Sequence, residues 1–420
     1  MVMNPREEKS ASGEGDAKMP IAGKENAGAC SPYRWVILSV IVLVQVALNG
    51  AQFQLAGLAA RLIPALALRP EQFAMVLAAP MLTAALFGIP AGALADRFGV
   101  KLTVSIGLLI AAISGFGRLF AGNFGSMFIA MLGLGFGLAA INANAAKIIG
   151  AWFSQKQAGL AMGMFVASAT AGISLALASS ALFAEIQNAF IVSAAIVLAS
   201  LLLWIVLIRP RPDGVPAAPV RSIARYLAGA ARSRNIWIGG AAMFLFMGGW
   251  VAQTGNLSNA LIQNKGASDV LAGLASSLLP LAFIGGSVIV GPLIMRKLGR
   301  MGILLAAPAL GAALFSYLAW YLPFGVVTVL LLVLSGFLLG TLVPFVMSLP
   351  MLLPELGPDY AGSGGGILST LQMAGAFLLP SYVIMPLSAG NASNIFLLIS
   401  CVYVLFGIVL ILLLHAMEVR

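Results

Sequence analysis

The sequence predicts an all-α integral membrane protein, with twelve transmembrane helices in two pseudo-symmetric six-helix bundles. Three observations predict it. Apolar residues make up 61% of the chain and charged residues 9%, where a soluble domain is nearer a quarter charged. Apolar segments of about 20 residues, long enough to cross a hydrocarbon core about 30 Å thick, recur along the chain. One long basic stretch near the middle divides them six and six. Helices rather than strands follow because backbone groups facing lipid must be bonded within their own segment. The alternating ten-residue pattern of a transmembrane barrel is absent.

Residues 1–33 are rich in Gly, Ser, Ala, Glu and Lys and contain no apolar signal-peptide core. They read as a disordered cytoplasmic tail. Spans one to six are expected at 35–58, 73–94, 102–120, 124–149, 159–183 and 189–208, an N-terminal bundle over 34–208. Residues 209–235 follow as a cytoplasmic linker with Arg209, Arg211, Arg221, Arg225, Arg232 and Arg234. Spans seven to twelve are expected at 236–262, 270–294, 302–321, 325–353, 363–387 and 394–414. They make a C-terminal bundle over 236–415, with 416–420 as a short tail.

Charge orients this arrangement. With the N-terminus inside, 19 of the 23 Lys and Arg fall on the cytoplasmic side, the exceptions being Arg61, Arg69, Arg118 and Lys265. The bias places both termini in the cytoplasm and the protein in the cell (inner) membrane, and it explains a net charge of +10 without nucleic acid. Two cysteines, Cys30 and Cys401, and a single histidine, His415, supply no disulfide framework or metal centre. No catalytic triad can be assembled, so the chain does not read as an enzyme and implies no cofactor. Its expected partners are the lipid bilayer and a small-molecule substrate, with no obligate protein partner.

An internal repeat supports the two halves. Spans two and three are joined by GALADRFGVK (Gly92 to Lys101), and spans eight and nine by GPLIMRKLGR (Gly291 to Arg300). Such repeats characterise transporters with a central site between two bundles. The first loop resembles the signature of the major facilitator superfamily at Gly92, Asp96, Arg97, Gly99 and Lys101, with Val100 where a base is usual. The resemblance covers about residues 34–415 and implies alternating access. It further implies that Asp96 and Arg97, with Gly92, Gly99 and Lys101, gate the cytoplasmic ends of the N-half helices. Arg296 and Lys297 are the counterparts in the second half.

Within that family, NANAAKIIGAWFSQKQAGLAMGM (Asn142 to Met164) is similar to the span four-to-five region of nitrate/nitrite, cyanate-type and feline-leukaemia-virus-receptor-type permeases. Lys147, Trp152, Phe153 and Gly159 are the matching positions. The arginines that grip nitrate fall at Gly88 and near Val288, so nitrate is not the expected substrate. The Gly-Pro motif of drug/proton antiporters is missing from span five, and Met131 stands where their span-four arginine belongs.

Charges inside a membrane are costly and so informative. All 13 acids lie in tails, loops or span ends, which leaves no buried carboxylate to carry a coupling proton. Uniport or exchange follows. Among bases, Arg118 reads as snorkelling to the interface. Lys147, three residues after Asn144 on one helix face, reads as a candidate holder of a small anion. Gln45, Asn49 and Gln52 share a face of span one, with Gln45 roughly 16 Å deep, near the midplane. Asn142, Trp250, Gln253, Asn256 and Gln372 complete the candidate substrate lining; interhelical hydrogen bonding is the competing role for such residues. Glycines in GLGFG (Gly133 to Gly137) and GSGGG (Gly362 to Gly366) are expected to permit close helix approach or local bending, as packing elements. The expected function is transport of a small polar solute, favouring a small organic anion. A neutral or zwitterionic metabolite is the alternative, and a sensor or assembly factor on the same fold is a third reading.

Overall fold

The computed structural model describes residues 32–209, 229–290, 306–353 and 357–418. Twelve long helices make up nearly all of it: α1 (Tyr33–Gly57), α2 (Pro70–Phe98), α3 (Val100–Gly117), α4 (Phe124–Trp152), α5 (Gln155–Ser179), α6 (Ile186–Leu207), α7 (Arg234–Lys265), α8 (Asp269–Gly285), α9 (Ala306–Tyr321), α10 (Val326–Leu352), α11 (Gly357–Leu378) and α12 (Ala392–Glu418). A short helix, Ala59–Ala65, follows α1. Among the described residues, eleven helices are long and apolar enough to cross a membrane. The ninth expected span, α9, is described over 16 residues only. There is no strand among the described residues. Residues 1–31 of the expected tail, most of the linker and the 8–9 loop with Arg296 and Lys297 lie outside the described residues.

Helix ends follow local chemistry. Asn123 caps α4, its Oδ1 accepting from the Ser126 amide at 3.0 Å, and Ser268 caps α8 by accepting from the Leu271 amide. Pro70 opens α2, where a missing N–H costs nothing. The same helix stops at Gly99, whose φ of +91° is a conformation that L side chains rarely adopt. The loop glycine is thus a backbone requirement of the α2–α3 corner.

The two halves repeat each other in packing. In the first half α1 packs on α5 and α6, and α4 on α2 and α3; in the second, α7 packs on α11 and α12, and α10 on α8 and α9. Equivalent glycines permit the closest approaches. Gly135 of α4 lies against the Pro80 carbonyl of α2, as Gly336 and Gly340 of α10 lie against the Leu279 and Phe283 carbonyls of α8. Gly172 meets Val46 across α5 and α1, and Gly375 meets Phe244 across α11 and α7. Any Cβ there would collide with backbone, so these contacts hold the bundles together by van der Waals packing.

The halves touch where α2 meets α11, α5 meets α8 and α1 meets α7. Those contacts concentrate on the side remote from the ends of α1 and α12. Gly255 backs onto Leu77, Gly273 onto the Leu177 carbonyl, and Gly390 approaches Pro70. On the side carrying both chain ends, a Cβ added at Gly88 or Gly92 of α2, Gly159 or Gly163 of α5, or Gly365 or Gly366 of α11 would meet nothing within 4 Å. Among the described residues, the pathway between the halves is closed at the far side and open at this one. Gly133, Gly135 and Gly137 are packing elements as expected, whereas Gly365 and Gly366 face open space.

Candidate functional site

The span-one amides fall at the middle of α1 and divide into two roles. Gln45 is buried and donates from Nε2 to Asn142 Oδ1 on α4 at 3.1 Å, while its own Oε1 has no partner. Asn142 is exposed on α4. Asn49, one turn on, donates back to the Gln45 carbonyl at 2.9 Å. Gln52 is fully buried and spends Nε2 on the Leu77 carbonyl of α2, tying helix to helix. Gln45, Asn49 and Asn142 are therefore brought together, and Gln52 faces the bundle interior.

On α4 the structure separates the two residues expected to act jointly. Asn144 is fully buried and bonds the Ala140 carbonyl of its own helix. Lys147 turns instead to α2, its Nζ 2.5 Å from Asp96 Oδ1 and 3.0 Å from the Gly92 carbonyl. Both members of that ion pair are about one-third exposed. The pair joins the loop-motif acid to the open end of α4. Arg97 is exposed with its guanidinium 5.1 Å from the Phe98 ring, and the Lys101 carbonyl accepts from Trp204 Nε1 at 3.2 Å.

In the second half, Gln253 is not brought to the pathway. It is completely buried, donates to Ser316 Oγ at 3.0 Å and accepts from the Tyr403 hydroxyl at 2.7 Å, linking α7, α9 and α12. Trp250 is buried too, packed on Phe283 at 4.9 Å and Phe246 at 6.1 Å. Asn256 and Gln372 are half-buried, with Asn256 donating to the Ala252 carbonyl and Gln372 directed at Met247 Sδ.

Arg118 does not snorkel. It is buried, donates to the Ala51 carbonyl and to Ser193 Oγ, each at 2.8 Å, and lies 4.8 Å over the Phe190 ring. It links α3, α1 and α6 as the Gln253 cluster links α9, α7 and α12, the same three positions of the repeat. Sequence reading missed this, because Ala51 and Ser193 carry no signal that they receive a guanidinium. No group of three His, Cys, Asp or Glu that could hold a metal occurs among the described residues.

Comparison with known proteins fits this architecture. The sequence profile of the Major Facilitator Superfamily matches residues 35–380. The chain belongs to that superfamily. Two crystal structures of a bacterial homologue of the human lysosomal transporter Spinster share its fold, both inward-facing. The unoccupied form gives a TM-score of 0.68 and the occupied form 0.64, each at 17% identity over 93% of this chain and 95% of the other. A probable L-galactonate transporter of Escherichia coli strain K12 is 34% identical over 91 residues. That match spans 21% of this chain and only 19% of the relative's length. The superfamily fold is that of a multi-pass membrane transporter and not of an enzyme.

Proposed function

We propose that this protein is a secondary transporter that moves a small polyhydroxylated organic acid of the aldonate class, as a uniporter or exchanger. The Gln45–Asn142 pair carries the reading. It sits at mid-depth, beside Asn49, with an unpartnered Gln45 Oε1 and an exposed Asn142 amide. A hydroxyl both donates and accepts, so it can satisfy such a pair where an acceptor-only ion cannot. The partial similarity to a galactonate transporter points to the same ligand chemistry. No carboxylate is among the buried polar residues described, which favours transport without a proton-carrying acid.

A neutral polyol is the second reading, favoured by the engagement of Lys147 with Asp96. In either case the basic bias of the loops makes the side with both chain ends cytoplasmic, so the pathway opens inward. The membrane is then the cell membrane.

The test begins with thermal stabilisation of the purified protein by L-galactonate and by galactitol, its carboxyl-reduced counterpart. A binder raises the unfolding temperature by mass action, whatever the transport mode. Counterflow of the binder in proteoliposomes at equal pH on both sides is expected to proceed. Uptake that occurs only under an imposed proton gradient and is abolished by one Asp or Glu substitution would refute the acid-free mechanism.

A further inference from the structure

We propose that the Lys147 ammonium is the carboxylate subsite of the pathway, and that a substrate carboxylate occupies it in competition with Asp96. The proposal rests on the aldonate reading above.

Position is the first argument. Lys147 lies five residues beyond Asn142 on α4, about 7.5 Å along the axis and about 140° around it. Asn142, Ala146, Lys147 and Gly150 form the exposed arc of this half of α4. On α2, the wall beyond Lys147 is Gly92, which adds no side chain and has open space in front of it. An acid with its hydroxyls at Gln45 and Asn142 reaches Lys147 with its carboxylate by lying across this exposed arc.

Charge is the second. Arg118 is buried and bonded on three sides, so it has nothing to offer a solute. Arg61, Arg69 and Lys265 stand at the closed side, with partners at Phe183, Glu71 and Leu322. Lys147 is the deepest described cation on the open side. Its ammonium has three N–H groups, of which the Gly92 carbonyl and Asp96 take two.

The exchange itself is the third. The Lys147 and Asp96 side chains are 39% and 32% exposed, so water already screens their attraction and the pair is weak. Replacing Asp96 by a substrate carboxylate trades one ammonium–carboxylate contact for another and leaves no buried charge unpaired. It also frees the last turn of α2, next to the strained Gly99 corner, so occupancy of the site is passed to the gate. Asp96 thus acts as a built-in stand-in for the substrate when the pathway is empty.

The test uses the purified full chain and titration calorimetry with L-galactonate and galactitol. Removing the internal competitor by Asp96→Asn is expected to tighten L-galactonate about two- to five-fold, the range set by the strength of a partly exposed ion pair. The same change should leave galactitol unaltered and slow counterflow. Lys147→Gln should erase the preference for L-galactonate over galactitol, and Glu71→Gln, an acid at the closed side, should change neither affinity. An Asp96→Asn variant that binds L-galactonate no better than wild type overturns the proposal, as does a preference that survives Lys147→Gln. Should Lys147→Gln lose galactitol as well, its fold is lost and Asp96→Asn decides alone. Wild-type protein that does not bind L-galactonate at all refutes the aldonate reading itself, and this proposal with it.

Discussion

Gln253 offers the sharpest test of how this bundle uses its polar residues, because sequence places it with substrate and structure places it behind the pathway. Gln253→Leu removes two interhelical bonds, to Ser316 Oγ and from the Tyr403 hydroxyl. Interhelical hydrogen bonds in membranes are worth about 0.6 kcal/mol each, so their loss costs about 1 kcal/mol. Ser316 keeps a second partner in Ser335 at 2.8 Å, but the Tyr403 hydroxyl is left buried without an acceptor. A buried donor stranded in this way adds about 1–3 kcal/mol, so the single variant should be destabilised by about 2–4 kcal/mol in all. Adding Tyr403→Phe removes the stranded hydroxyl, so the double variant should be no less stable than Gln253→Leu alone. Thermal unfolding in detergent across the four-member mutant cycle measures this coupling. Affinity for the transported solute should stay within two-fold throughout, on the order of 0.4 kcal/mol. A Gln253→Leu protein of wild-type stability that no longer binds solute would refute the assignment and return Gln253 to the pathway.

Two further predictions concern the corner and the topology. Gly99→Ala forces a side chain into a backbone region with φ of +91° and is expected to cost about 1–3 kcal/mol of stability, read as a lowered unfolding temperature, with slower counterflow if the α2–α3 corner gates transport as the sequence resemblance implies. A cysteine placed in the 209–235 linker, with Cys30 and Cys401 replaced, should resist a membrane-impermeant thiol reagent in intact cells and react in inverted vesicles. Labelling from outside would reverse the orientation proposed from the basic residues.

The fold class and most of the spans were legible in the sequence because each depends on local chemistry. Apolar length decides what crosses a bilayer, and unsatisfied backbone in lipid forces the helix. Turns reveal themselves the same way: Gly99 ends α2 through its own dihedral, and Asn123 starts α4 through its own side chain. The amide ladder of α1 was legible as a shared face for the same reason, since helical spacing alone aligns Gln45, Asn49 and Gln52.

Which way each helix turns was decided only in three dimensions. In a soluble protein the apolar stripe reveals the inward face, but lipid and bundle interior are both apolar, so the stripe vanishes and helix rotation is fixed by packing. That packing is set by backbone approach at Gly135, Gly172, Gly336 and Gly375, against partners many residues away in the chain. It leaves Asn142 exposed and turns Asn144, two residues later, into the bundle. It also buries Gln253 among Ser316 and Tyr403, seats Arg118 on Ala51 and Ser193, and brings Asp96 within reach of Lys147. A polar side chain in a span tells that it needs a partner; whether that partner is a neighbouring helix or a passing solute depends on the rotation, which no local stretch of sequence contains.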